Sequence, residues 1–299
     1  MFRRALSFAA ARYWLRRIAV AALPSLAACG GAPAGSAPPS PGDVDVPGVD
    51  TSSFTPREKH ELSRYASSLP APCATVAVSV AQCVVEKRAC AACLPAVRAI
   101  AQAVRDGMAE EQVRDLYKQR FDPTASKSIP IDGSPSRGPE GGPVVLVEFA
   151  DFECPFCQKM APELDALWEK HKDKVLFVYK FMPLSMHPHS EIAARAAIAA
   201  QMQGKFWAMH HQLFANGQRL EQSDLDSYAK SIGLDVARFR ADMQSAATTA
   251  RLEADRKLAD QLGVKGTPTI YIDGRPYDLK VDIEQWVEGD IAASAGAAK

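Results

Sequence analysis

The sequence predicts an α/β domain with a central sheet and a large helical insertion, preceded by a small cysteine-containing helical unit. Three observations carry this. Two continuous apolar runs, "VVLVEFA" (144–150) and "KVLFVYKFM" (174–182), have the length and β-branching of strands buried on both faces. The stretch from Ser190 to Leu262 is patterned almost entirely as helix. The chain then returns to strand at "TPTIYID" (267–273). The order strand–helix–strand, helical block, hairpin, helix is that of one sheet covered by helices.

At 299 residues, 47% of them apolar, the chain has room for a substantial core. Its 35 basic and 35 acidic residues cancel, and neither forms a long block, so nothing points to a nucleic-acid partner. Residues 1–28 read as a lipoprotein signal peptide. Arg3, Arg4, Arg12, Arg16 and Arg17 form a basic start, followed by "IAVAALPSLAA", which is too short to span a bilayer. "LAAC" resembles the bacterial lipobox, which implies cleavage before Cys29 and lipidation of that residue. The alternative is an ordinary signal peptide cleaved nearby. No later apolar run has spanning length, so the lipid would be the anchor. Gly30, where inner-membrane retention favours Asp, points to the outer membrane if the cell has two. Residues 29–54, rich in Gly, Pro, Ala and Ser, read as a tether.

Residues 55–125 read as a small four-cysteine helical domain. "TPRE" supplies an N-cap at Thr55, Pro56 at the first helical position and Glu58 for a capping box. Leu62, Tyr65, Ala66 and Leu69 continue the helical stripe, which "LPAPC" ends. From Val76 to Val84 the pattern fits strand or helix. Leu94, Val97, Ala101 and Val104 form another helical stripe closed by Gly107. Val113, Leu116, Tyr117 and Phe121 mark a further short helix. Cys73, Cys83, Cys90 and Cys93 read as two structural disulfides, and sequence leaves three pairings open. A zinc site or a redox-active "CAAC" are the alternatives. Seven cysteines thus divide into one lipidated, four stapling and two in "CPFC". An exported chain keeps disulfides.

Residues 126–295 read as the α/β domain. A short strand is expected at Ile129–Ile131, then the 144–150 strand, a helix in "QKMAPELDALWEKH" and the 174–182 strand. The helical block should break near Asn216–Gly217, Gly233 and Ser245, with Ser190 capping its first helix. A turn at Asp273–Gly274 leads to "RPYDL" and a last helix at Ile283–Ile291. "KFWAMHHQLF" reads as a packing face. His210 and His211 have no ligand partner nearby in sequence and read as structural or solvated.

Cys154 falls where a strand gives way to a helix. Open N–H groups and the positive dipole end favour negative charge there. Cysteines at such positions ionise well below 8.5, and the thiolate is the species that exchanges disulfides. Cys154 is therefore expected as nucleophile, with Cys157 one turn on as resolving thiol. Pro155 and Phe156 shape the rim. Phe156 offers apolar contact but no charge, so a moderate oxidant is expected. Glu148 lies in an otherwise buried strand. It reads either as a raised-pKa acid that passes protons to Cys157, or as the partner of a strand-edge lysine. Thr267–Pro268 invites a cis peptide facing the cysteines, with Thr267 free to pair with an extended substrate. The alternative is a trans proline at a strand entry. A zinc pair completed by His187 and His189 is a further alternative.

"DGSPSRGPEGGPVVLVEFADFECPFC", "HSEIAARAAIAA", "GKFWAMHHQLF" and "GVKGTPTIYIDGRPY" resemble the thioredoxin superfamily, and within it the DsbA-like thiol-disulfide oxidoreductases. The likeness runs from Ser126 to Ile291. It implies a thioredoxin fold with an inserted helical subdomain, Cys154 and Cys157 as the redox pair, cis Pro268, Glu148 as buried acid and a helix kink at Pro162. Phe156 stands where the best-known members carry His. The implied function is a cell-envelope enzyme that exchanges disulfides with exported cysteine-containing proteins. It would need no cofactor beyond its own disulfide, no metal, and a membrane redox partner to recycle it. The alternatives are a non-catalytic binding lipoprotein, or a reductant of haem-attachment cysteines.

Overall fold

The computed structural model describes residues 45–297, all within the second of the chain's two units, residues 39–299. The predicted signal peptide, Cys29 and the first part of the tether lie outside the described residues. Among the described residues four helices come first: α1 (Pro56–Ser68), α2 (Val80–Val85), α3 (Cys93–Arg105) and α4 (Glu110–Phe121). The capping box at α1 forms in full. Thr55 Oγ1 accepts from the Glu58 N–H, and the Glu58 carboxylate accepts from the Thr55 N–H at 2.6 Å. The ambiguous 76–84 stretch becomes the short α2, because Ser79 accepts from the Gln82 N–H and starts a helix there.

Disulfides join Cys73 to Cys90 and Cys83 to Cys93. The "CAAC" cysteines therefore bond to different partners, and all four sulfurs are engaged. That removes both the redox and the zinc alternatives for this set.

The helical unit is not self-contained. Val46 and Phe54, from the stretch read as tether, are buried in it. Its core is continuous with residues under the sheet, including Leu146, Phe177 and Trp286. Arg120 of α4 is the polar pin of this junction. It donates to the Trp286 carbonyl at 2.9 Å, lies 3.6 Å from Asp290 and stacks over the Trp286 ring. Trp286 and Asp290 belong to the last helix, α11 (Ile283–Ala297).

The sheet comprises β1 (Ser136–Arg137), β2 (Val144–Ala150), β3 (Val175–Phe181), β4 (Thr269–Ile272) and β5 (Arg275–Pro276), in the order β1-β3-β2-β4-β5. Among the described residues only β2 and β3 run parallel, joined by the crossover helix α5 (Pro155–His171). Glu148 stands mid-sheet, level with Tyr179 on one side and Ile270 on the other. The expected strand at Ile129–Ile131 does not form, and the edge strand is Ser136–Arg137 instead. Pro130 has no N–H to give a ladder, and the two isoleucines pack as side chains beneath the sheet.

The insertion is α6 (Ser190–Met202), α7 (Phe206–Ala215), α8 (Gln222–Ser231), α9 (Val236–Met243) and α10 (Ala246–Leu262). The three expected breaks occur. A fourth lies at Gly204, whose φ of +70° turns the chain between α6 and α7. Ser190 is the first helical residue rather than the cap. Its hydroxyl donates to the carbonyls of Leu184 and His187.

Candidate active site

At the carboxyl end of β2 the chain turns through Asp151, Phe152 and Glu153 and enters α5. Cys154 is the N-cap and Pro155 the first helical residue, where its missing N–H costs nothing. Cys154 and Cys157 are both free thiols. The Cys154 thiol donates to the Thr267 carbonyl at 3.4 Å, although 113 residues separate them. The Thr267–Pro268 peptide is cis and leads into β4. Phe156, 70% exposed, projects from the rim, while Cys157 is wholly buried behind it. Pro162 lies inside α5.

Glu148 is fully buried, and neither carboxylate oxygen has a hydrogen-bond partner among the described residues. The lysine-paired reading fails. Lys180 of β3 instead donates to the Pro130 carbonyl and lies 3.4 Å from Asp255. Burial pushes the Glu148 carboxyl up to about 8; the negative Asp165 adds to this and Arg137 opposes it. Burial, then the proximity of Glu148, pushes the Cys157 thiol well above the ordinary thiol range. The interior behind the pair therefore resists negative charge and keeps a proton on Glu148 at neutral pH. One sulfur lies at the start of α5, where its thiol donates to the Thr267 carbonyl. The other lies beside an acid that holds a proton. That division suits thiol–disulfide exchange.

A second layer of residues has no signature in the sequence. Asp151 accepts from the Leu184 N–H at 2.9 Å and pairs with His187 Nδ1 at 2.7 Å. Glu153 accepts from the His189 N–H at 2.6 Å and pairs with His189 Nδ1 at 3.1 Å. These contacts strap the 184–189 loop onto the turn before Cys154. The zinc site considered for these histidines does not assemble: among the described residues, His187 and His189 do not come within ligand reach of Cys154 and Cys157 as a group. The same contacts also bring Met186, 78% exposed, to the same end of the sheet as Phe156. Phe152 anchors the turn from inside, stacked on Tyr179 with ring centroids 5.2 Å apart and packed on Phe214 of α7. The aromatic run of α7 is thus a packing face, as its spacing predicts.

A strand, a CxxC pair at a helix start and a facing cis-proline loop define a thioredoxin-fold dithiol protein. A sequence family described as Thioredoxin matches residues 131–289, just over half of the chain. The chain belongs to the thioredoxin family. A Na(+)/H(+) antiporter NhaA 3 from Salinispora tropica is 37% identical over 172 residues, covering 56% of this chain and 26% of the antiporter. The chain thus spans about a quarter of the length of such relatives. BdbD from Bacillus subtilis is similar in structure at 22% identity with a TM-score of 0.50, covering 57% of this chain and 98% of BdbD. A thioredoxin-like oxidoreductase from Silicibacter pomeroyi is 29% identical with a TM-score of 0.48, covering 57% and 94%. Among the described residues, no helix is long and apolar enough to cross a membrane.

Proposed function

We propose that this protein is a cell-envelope thiol-disulfide oxidoreductase that exchanges disulfides with exported, cysteine-containing proteins. The observation that carries the reading is the asymmetry of the pair. Cys154 meets the Thr267 carbonyl at a helix start, and Cys157 is buried beside the proton-holding Glu148.

In the oxidising direction a client thiolate attacks Cys154 Sγ of the Cys154–Cys157 disulfide. The S–S bond breaks, Cys157 leaves as a thiolate, and it takes a proton from the Glu148 carboxyl. A second client thiolate then attacks the client sulfur of the mixed disulfide and releases Cys154. The client gains a disulfide, and the pair keeps two electrons, with Cys157 as a thiol and Cys154 as a thiolate until it and Glu148 take protons from solvent. The reverse sequence reduces a client. Thr267, Pro268, Pro155 and Phe156 form the substrate-facing rim, and the Thr267 backbone suits an extended peptide. No organic cofactor or metal enters these steps.

A membrane redox partner recycles the pair and sets its direction. The predicted signal peptide and Cys29 anchor fit a lipid-tethered protein facing away from the cytoplasm, on the outer membrane if two are present. Antiport, named for the longer relatives, is not part of this reading.

Trapping tests the function. A Cys157→Ser chain, expressed in the envelope, should accumulate mixed disulfides through Cys154 that thiol reductant releases. A Cys154→Ser, Cys157→Ser chain should carry none. Absence of adducts from the single variant would leave a non-catalytic holder of client proteins.

A further inference from the structure

We propose that Asp165, His210 and His211 form a binding site for one borderline divalent cation of the zinc class, on the flank of α5 and separate from the cysteine pair. Read along the sequence, the two histidines lack a ligand partner. The fold supplies one from the neighbouring helix.

One ligand atom from each of the three residues lies within 4.8 Å of the other two. A tetrahedral zinc with ligands about 2.0–2.1 Å away holds its donors roughly 3.4 Å apart. His211 Nε2 and Asp165 Oδ2 are already 3.2 Å apart. The half-exposed His211 has room to turn toward His210.

His210 is the second, independent observation. Its ring is 2% exposed, and neither ring nitrogen has a hydrogen-bond partner among the described residues. A buried imidazole with both nitrogens unsatisfied is costly and calls for a partner. Phe152, Trp207 and Phe214 pack on it and fix the ring. Room for the ion exists. His210, His211 and Asp165 line a cavity of about 440 Å³, whose wall the small Ala161 and Ala215 help keep open.

Arg137 binds the other oxygen of Asp165. That contact orients the carboxylate with Oδ2 toward the histidines, as outer partners of metal ligands do. Its positive charge also limits affinity. Three protein ligands leave a position for water.

Among the described residues two other clusters have ligand-like spacing. Cys83, Cys90 and Cys93 are held in disulfides; Glu284 and Glu288 pair with the exposed Lys170, and His171 lies 3.7 Å from Glu288.

The test uses the full chain without a histidine tag, with Cys154–Cys157 oxidised so that thiols take no metal. Zn2+ is titrated calorimetrically, and Co2+ is added in parallel to read tetrahedral coordination from its visible absorption. Wild type should bind one equivalent of Zn2+ saturably. Asp165→Asn and His211→Gln alter partly exposed side chains and should each weaken binding roughly tenfold or more. Glu288→Gln should bind as wild type does. In wild type the imidazole resonances of His210 should move on adding Zn2+, a direct readout of the residue whose own replacement endangers folding. No saturable binding by wild type, wild-type affinity in Asp165→Asn and His211→Gln, or loss in Glu288→Gln alone overturns the assignment.

Discussion

Replacing Glu148 with leucine removes an ionisable group from the middle of β2 at nearly constant volume. The folded carboxyl titrates near 8 rather than at the ordinary 4.5, chiefly because burial disfavours the carboxylate. The unfolded chain carries no such penalty. Between these two values the folded state keeps a proton that the unfolded state has released, so stability falls as pH rises. Using 1.36 kcal/mol per pKa unit, the loss is about 1 kcal/mol at pH 5, roughly 3 kcal/mol at pH 7 and about 5 kcal/mol at pH 9. The Glu148→Leu chain lacks this term. Its added apolar contact shifts stability by an amount independent of pH, so the slope is diagnostic. Urea unfolding of both chains at these three pH values, under identical redox conditions, should give a gap that widens by roughly 4 kcal/mol from pH 5 to pH 9. The same substitution should slow resolution of mixed disulfides, because Cys157 loses its proton donor. Parallel stability curves across this range would refute the argument that Glu148 is a buried, unpaired acid.

Two further outcomes follow from the same contacts. Phe156→His places a hydrogen-bonding, chargeable ring beside Cys154 in place of an uncharged one. The reduction potential of the pair, measured against glutathione, should become more oxidising by on the order of 30 mV for each tenfold gain in stability of the dithiol form; an unchanged potential would mean that residue 156 does not face the thiolate. Arg120→Ala takes a cation from the partly buried Asp290, removes the bond to the Trp286 carbonyl and strips the junction between α4 and α11. Denaturant unfolding should show a loss of about 3–5 kcal/mol, and a loss below about 1 kcal/mol would show that the junction does not depend on this residue.

The parts of the protein that were legible in the sequence are those whose physics is contiguous. Thr55, Pro56 and Glu58 sit within one turn, and their hydrogen bonds close locally whatever the rest of the chain does. The strands at 144–150 and 175–181 announce themselves because a strand covered on both faces must be apolar throughout. The CPFC pair is readable because a strand end, two cysteines and a helix start follow one another directly. Even the failed strand at Ile129–Ile131 had a local reason, since Pro130 withholds the N–H that pairing needs.

Tertiary structure decided everything that joins distant segments. It chose one of three disulfide pairings, bound Asp151 and Glu153 to histidines 36 residues away, and carried Asp165 to His210 and His211. It also settled the character of Glu148. A carboxyl inside a strand reads the same whether a lysine meets it or nothing does, and only the packed neighbours determine whether its charge is compensated. Local order follows from backbone geometry and the spacing of side chains along one segment. The field and the ligands around a buried group are made by segments that nothing in the linear sequence places side by side.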